Sequence, residues 1–165
     1  MNFKKYLPFV IVICFLIIFS VFLSKQNNFS GKIIDNNIKY TKIDENKIKY
    51  VKIGGVLVKV ELAITSEEHE QGLSGRISMK DDEGMLFIFS EPQINYFWMK
   101  EMKFPIDIVW IDENSQIIFI EKSVQPESYP NSFGPEQKSQ YVLEIPAGFS
   151  EKNNLQVNDQ VEFLP

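Results

Sequence analysis

Sixteen of the seventeen basic residues in this chain are lysine, and the exception is Arg76. A guanidinium is a planar, permanently charged fork that can bond both oxygens of one carboxylate, which an ammonium cannot do. Arg76 follows "GLSG", where two glycines let the backbone turn tightly. Two carboxylates are as oddly placed as the arginine. Asp107 lies inside "PIDIVWI", and Glu144 lies inside "YVLEI". Alternation along a strand puts Asp107 with Val109 and Ile111, and Glu144 with Val142, so both acids are expected among apolar neighbours. An unpaired buried carboxylate costs on the order of several kcal/mol. Each therefore needs Arg76, Lys100, a nest of backbone amides, or water at a cavity mouth. The expected pairing is Asp107 with Arg76, with Glu144 as the second candidate partner.

Trp98 stands beside Tyr96 and Phe97, a grouping able to stack against a sugar or another planar ligand. Arg76, Trp98, Asp107 and Glu144 thus form the candidate ligand-binding set, with Met85, Met99 and Lys100 in support. Met79, Met85, Met99 and Met102 offer soft sulfur of the kind Cu(I) takes. Met-x-x-Met is also ordinary core packing, and the only histidine (His69) and only cysteine (Cys14) bring no further ligands. No metal and no cofactor are expected. His69 sits next to three glutamates and is expected on the surface. No Ser/His/Asp or Cys/His set can be assembled, so catalysis is not the leading expectation. One catalytic alternative is a hydrolase acting on an envelope glycan through Asp107 and Glu144, provided their separation suits acid/base work. Another reading is a structural scaffold.

Short strands must carry these side chains. "KYVKI", "VLVKVELAI", "GMLFIF", "INYFWMK", "PIDIVWI", "QIIFIEK", "QYVLEI" and "DQVEF" each read as a strand. "TSEEHEQGL" is the one helical signal, with Thr65 and Glu68 forming a capping box and Gly72 the stop. A helical turn is expected near Ser150–Asn153. The fold class expected is mainly β, a compact β-sandwich or irregular barrel of about eight strands with one short helix.

The domain behind this pattern runs over residues 51–165 and carries nine basic against nineteen acidic groups, a net −10. Such a surface repels a phosphate backbone, so nucleic acid is not an expected partner. Before it lies a polar linker, residues 25–50, rich in Asn, Lys and Ser. Residues 1–24 contain an uncharged run, Tyr6–Leu23, of 18 residues. As a helix it spans about 27 Å, close to a bilayer's hydrocarbon core. Phe22 and Leu23 stand where a cleaved signal would need small residues, so an uncleaved transmembrane anchor over 6–23 is expected. Lys4 and Lys5 before the span keep the N-terminus inside and send the domain out of the cytoplasm.

Five ordered blocks complete the reading: "QGLSGR" (71–76), "EGMLFIF" (83–89), "FWMK" (97–100), "PIDIVWID" (105–112) and "YVLEIPAGF" (141–149). Together they resemble the bacterial and archaeal family known as domain of unknown function 192 (DUF192), over roughly residues 51–163. The resemblance implies a compact, mainly β domain, often behind an export signal or anchor, and implies no particular activity. The family's signature positions map to Gly72, Leu73, Arg76, Gly84, Met85, Phe97, Trp98, Met99, Pro105, Asp107, Glu144, Ala147 and Gly148. Three departures stand out. Glu101-Met102 follows "FWMK" where members often have Asn-Thr or Asn-Met. No cysteine pair occupies the loop 125–135. Asn158-Asp159 replaces the usual Gly-Asp. The expectation is a membrane-anchored extracytoplasmic domain that binds a small ligand or an envelope partner without catalysis.

Overall fold

The computed structural model describes residues 44–165. The anchor expected over 6–23 and most of the linker lie outside the described residues. Among the described residues, no helix is long and apolar enough to cross a membrane.

Nine strands and two short helices follow in order: β1 (Tyr50–Ile53), β2 (Val56–Ala63), α1 (Ser66–Gln71), β3 (Glu83–Gln93), β4 (Phe97–Trp98), β5 (Ile106–Ile111), β6 (Ile117–Val124), β7 (Ser132–Phe133), β8 (Ser139–Pro146), α2 (Phe149–Lys152) and β9 (Glu162–Leu164). The eight expected strands are all present, and the two-residue β7 is the addition. A seven-stranded sheet runs β6-β5-β8-β3-β2-β1-β9, and β4 pairs with β7 in a small separate ribbon. All pairings are antiparallel except β2 with β3. A parallel neighbour needs a crossover, and residues 64–82, including α1, supply it.

The two outer edges of the sheet are drawn together. Gln116 and Gln160 form an antiparallel bridge, and Ile117 N–H donates to the Asp159 carbonyl while Asn158 N–H donates back to Ile117. This curling decides between the two expected forms in favour of an irregular barrel. Closure leaves few backbone groups at an open edge.

Each strand presents alternate residues to two apolar layers. Val51, Ile53, Val58, Leu86, Val109, Ile111, Leu143, Ile145 and Phe163 pack inside the curl. Met85, Phe87, Met99, Ile106, Ile108, Trp110 and Val142 form a second core on the outer face. That is why β5 is buried at all six positions, and why its sequence reads as a continuous apolar run broken only by Asp107. Strands β3 and β8 approach closely because residue 84 is glycine. A Cβ there would lie 2.8 Å from the Glu144 carbonyl oxygen and 3.1 Å from Val58.

The outer core is covered by α1, by the turn that follows it, and by the β4–β7 ribbon. Helix α1 begins as its sequence dictates. Thr65 Oγ accepts from Glu68 N–H at 3.2 Å, and Glu68 Oε2 accepts from Thr65 N–H at 2.9 Å, closing the capping box. Gly72 ends it with φ 46, and a Cβ at that position would lie 3.3 Å from the Phe87 ring.

Candidate functional site

Two turns and an aromatic strand make the walls of a cleft over the outer face of the sheet. Residues Gly72, Leu73 and Ser74 come from the turn after α1. Lys100 and Met102 come from the turn after β4. The two turns are stapled, since Ser74 Oγ donates to the Lys100 carbonyl at 2.9 Å and Gly75 N–H donates to the Glu101 carbonyl at 3.0 Å. Tyr96, Phe97 and Trp98 form the third side. Phe97 turns inward, edge-on to Phe87 at 4.8 Å and to Trp110 at 6.0 Å between centroids. Its neighbours turn outward, and Tyr96 is 53% and Trp98 52% exposed.

The wall is anchored from behind. Trp110 Nε1 donates to the Asn95 carbonyl at 2.8 Å, and buried Asn95 donates through Nδ2 to Ser139 at 3.0 and 2.9 Å. Trp110 thus fixes the backbone at Asn95, where this wall begins.

Glu144 is a lining residue of the same cleft, at its buried floor. It is 5% exposed, shares the outer face with Met85 and Ile108, and has no hydrogen-bond partner for its carboxyl among the described residues. Burial pushes its pKa from 4.5 up to about 8, against a weaker downward pull from the Arg76 charge. At neutral pH this carboxyl holds its proton, so it can donate one hydrogen bond as an acid or ionise beside a cation. The cleft has a volume of about 130 Å³.

Asp107 does something else, and the expected Arg76–Asp107 pair is corrected. Asp107 is wholly buried. Its Oδ1 accepts from Ser123 N–H at 2.8 Å and Gly148 N–H at 3.1 Å, and its Oδ2 accepts from Ser150 N–H at 2.8 Å. The carboxylate caps the start of α2 from a distant strand and pins the irregular stretch of β6 near Ser123, where φ is 52. A nest of amides provides its counter-charge, and no cation is required. Gly148 has no side chain with which to cap α2 itself, so Asp107 serves that role.

Arg76 instead forks onto Glu61 of β2, with Nη1–Oε1 at 2.5 Å and Nη2–Oε2 at 2.6 Å. This partner holds the guanidinium above its ordinary pKa and the Glu61 carboxyl below its own. The side chains are 37% and 63% exposed, so the pair is a surface ion pair of modest worth. Arg76 faces Glu144 through its field only.

Of the seven candidate residues, Trp98, Lys100 and Glu144 meet in the cleft. Met85 and Met99 are 6% and 1% exposed and pack the core beneath it. Asp107 and Arg76 lie outside the lining. Asp107 and Glu144 project to opposite faces of the sheet, because Asp107 pairs with Ile145 while Ile108 pairs with Glu144. A hydrolase that uses both carboxylates on one substrate is incompatible with that arrangement.

His69 was expected on the surface and is half-buried. Its Nε2–H donates to the Ala63 carbonyl at 3.0 Å, and its ring sits 4.6 Å from Phe89 and 5.9 Å from Phe87. The short helix folds back over the sheet and carries His69 to the rim of the cleft. Its i, i+4 spacing from Thr65 was the available sign, since the capped N-terminus sets which way each later residue turns. Among the described residues, no group of three or more His, Cys, Asp or Glu is arranged to hold a metal ion.

Comparison with known proteins adds the following. The family model DUF192, described as an uncharacterised ACR, matches residues 49–163, two residues earlier than the expected start. No curated protein matches the chain. A crystal structure from Sinorhizobium meliloti 1021, of a protein described as a candidate transcription regulator, is similar at 30% identity and TM-score 0.65. The match covers 69% of this chain and 90% of that one. A protein of unknown function from Novosphingobium aromaticivorans DSM 12444 is similar at 28% identity and TM-score 0.66, over 70% of this chain and 84% of its own.

Proposed function

We propose, for a chain that belongs to the DUF192 family, that the domain is a non-catalytic binding module for a small ligand in the cleft over Glu144. One observation carries the reading. A carboxyl that is 5% exposed and has no hydrogen-bond partner among the described residues faces a cleft walled by exposed aromatic rings. Among the described residues Ser150 Oγ is the one sealed polar side-chain atom without a partner, so the Glu144 oxygens open onto the cleft, where a ligand can meet them directly. The cleft volume of about 130 Å³ is below the roughly 300–1,000 Å³ of drug-sized sites and suits a ligand of a few heavy atoms. Asp107, in contrast, is fully satisfied and serves the scaffold.

In this reading the domain is held at the cell membrane by residues 6–23 and faces out of the cytoplasm. Support comes from the uncharged run Tyr6–Leu23 and from Lys4 and Lys5 before it. A role in direct DNA binding suits poorly a domain of net −10.

The test is a fragment screen by ligand-observed NMR on the wild type, Glu144→Gln and Trp98→Ala. Hits that lose affinity in both variants support the site. A screen whose hits respond to neither variant refutes it.

A further inference from the structure

We propose that the cleft takes a small organic cation, an ammonium or quaternary amine, held between the aromatic wall and the Glu144 carboxyl. The assignment rests on the reading of the cleft as a small-ligand site and names its ligand class.

Three observations converge. The Glu144 carboxyl takes no hydrogen bond from the described residues and opens onto the cleft, where a positive charge is the partner that lets it ionise. Tyr96, Phe97, Trp98 and Phe87 line the same cleft, and the faces of such rings attract cations once water is excluded. Residues 51–165 carry nineteen acidic against nine basic groups, so the field around the domain draws cations and repels anions.

The charged and titratable groups near Glu144 come from four further segments. His69 and Glu70 belong to α1, Arg76 to the turn after it, Tyr96 to the stretch before β4, where it is hydrogen-bonded to Glu136, and Lys100 to the turn after β4. Arg76 is already engaged by Glu61. Lys100 is the one ammonium lining the cleft, it makes no salt bridge among the described residues, and its half-exposed stem lets it turn outward. It competes with an incoming cation and would instead assist an anion, which makes it the residue that separates the two ligand classes.

Burial holds the Glu144 carboxyl up to about 8, so Glu144 is protonated at neutral pH. A cation favours the ionised form and expels that proton. Apparent affinity for a cation therefore rises with pH, by about tenfold between pH 7 and pH 9 for a group titrating near 8. A neutral ligand that accepts the Glu144 proton in a hydrogen bond weakens over the same interval.

The experiment is isothermal titration of the full chain in detergent with choline, whose charge is independent of pH, and with 3,3-dimethylbutan-1-ol, its uncharged isostere. The expected result is choline binding that strengthens about tenfold from pH 7 to pH 9, with the alcohol at least tenfold weaker at pH 9. Glu144→Gln should flatten the pH dependence, its fold checked by the emission of buried Trp110. Lys100→Gln, at a half-exposed position, should tighten choline binding. An alcohol that binds as well as choline, choline binding that weakens with pH, or a Lys100→Gln variant that binds choline less well each overturns the cation assignment. The cleft reading survives those outcomes if any fragment still depends on Trp98 and Glu144. Absence of every such fragment, choline included, removes both.

Discussion

Replacing Glu144 by Gln should change how stability depends on pH, in a direction that distinguishes a ligand-site acid from a structural one. Burial raises the folded-state pKa from 4.5 to about 8. Between those values the folded chain keeps a proton that the unfolded chain has released. Stability linked to Glu144 is therefore complete below about pH 4.5 and declines as pH rises towards 8, where the folded state ionises as well. At about 1.4 kcal/mol per pH unit, the wild type loses up to about 3 kcal/mol relative to Glu144→Gln between pH 4.5 and pH 7, and about 1 kcal/mol more by pH 8. The glutamine amide has its own burial cost, but that cost is independent of pH and cancels from the slope. Other titrating groups are common to both proteins and cancel too. Urea unfolding followed by Trp110 emission, run from pH 4.5 to pH 9 on both proteins, measures the difference directly. Two curves that stay parallel within about 0.5 kcal/mol would show Glu144 ionising as it does in water, and the argument for a desolvated cleft floor would fail.

Asp107→Ala should cost about 3–5 kcal/mol, because three amides lose their acceptor and the one on Ser150 is buried. Asp107→Asn should recover little of this, since its amide group would face an N–H donor. A cost under about 1 kcal/mol in equilibrium unfolding of either variant would refute the capping role. Arg76→Lys should shift stability by less than about 1 kcal/mol in the same assay, as expected for an exposed pair with Glu61. Trp98→Ala should leave the melting temperature nearly unchanged, since the ring is 52% exposed, while abolishing cleft-dependent fragment binding. The full chain should remain in the membrane fraction after carbonate washing, and a mature N-terminus near Ser24 by mass spectrometry would contradict the anchor.

Much of this domain was legible along the chain because its signals are local. Period-two alternation in "VLVKVELAI" and the doubly apolar "PIDIVWI" specify strands and even which of them are covered on both faces. The capping box of Thr65 and Glu68 and the stop at Gly72 place α1 without tertiary information. The anomalies at Asp107 and Glu144 were legible too, since an acid in an apolar strand demands a partner whatever the fold. Which partner each one found was decided only by the tertiary structure. A one-residue step along a strand reverses the face, so the β5–β8 register sends Asp107 towards the start of α2 and Glu144 to the floor of the cleft. Arg76 was drawn to Glu61 because the crossover between β2 and β3 returns it beside that strand, within reach of an exposed acid that looked unremarkable in sequence. Hydrogen bonds and charges act over a few ångströms of space. Residues 107, 123, 148 and 150 come within that range only when the sheet curls and α2 docks against it.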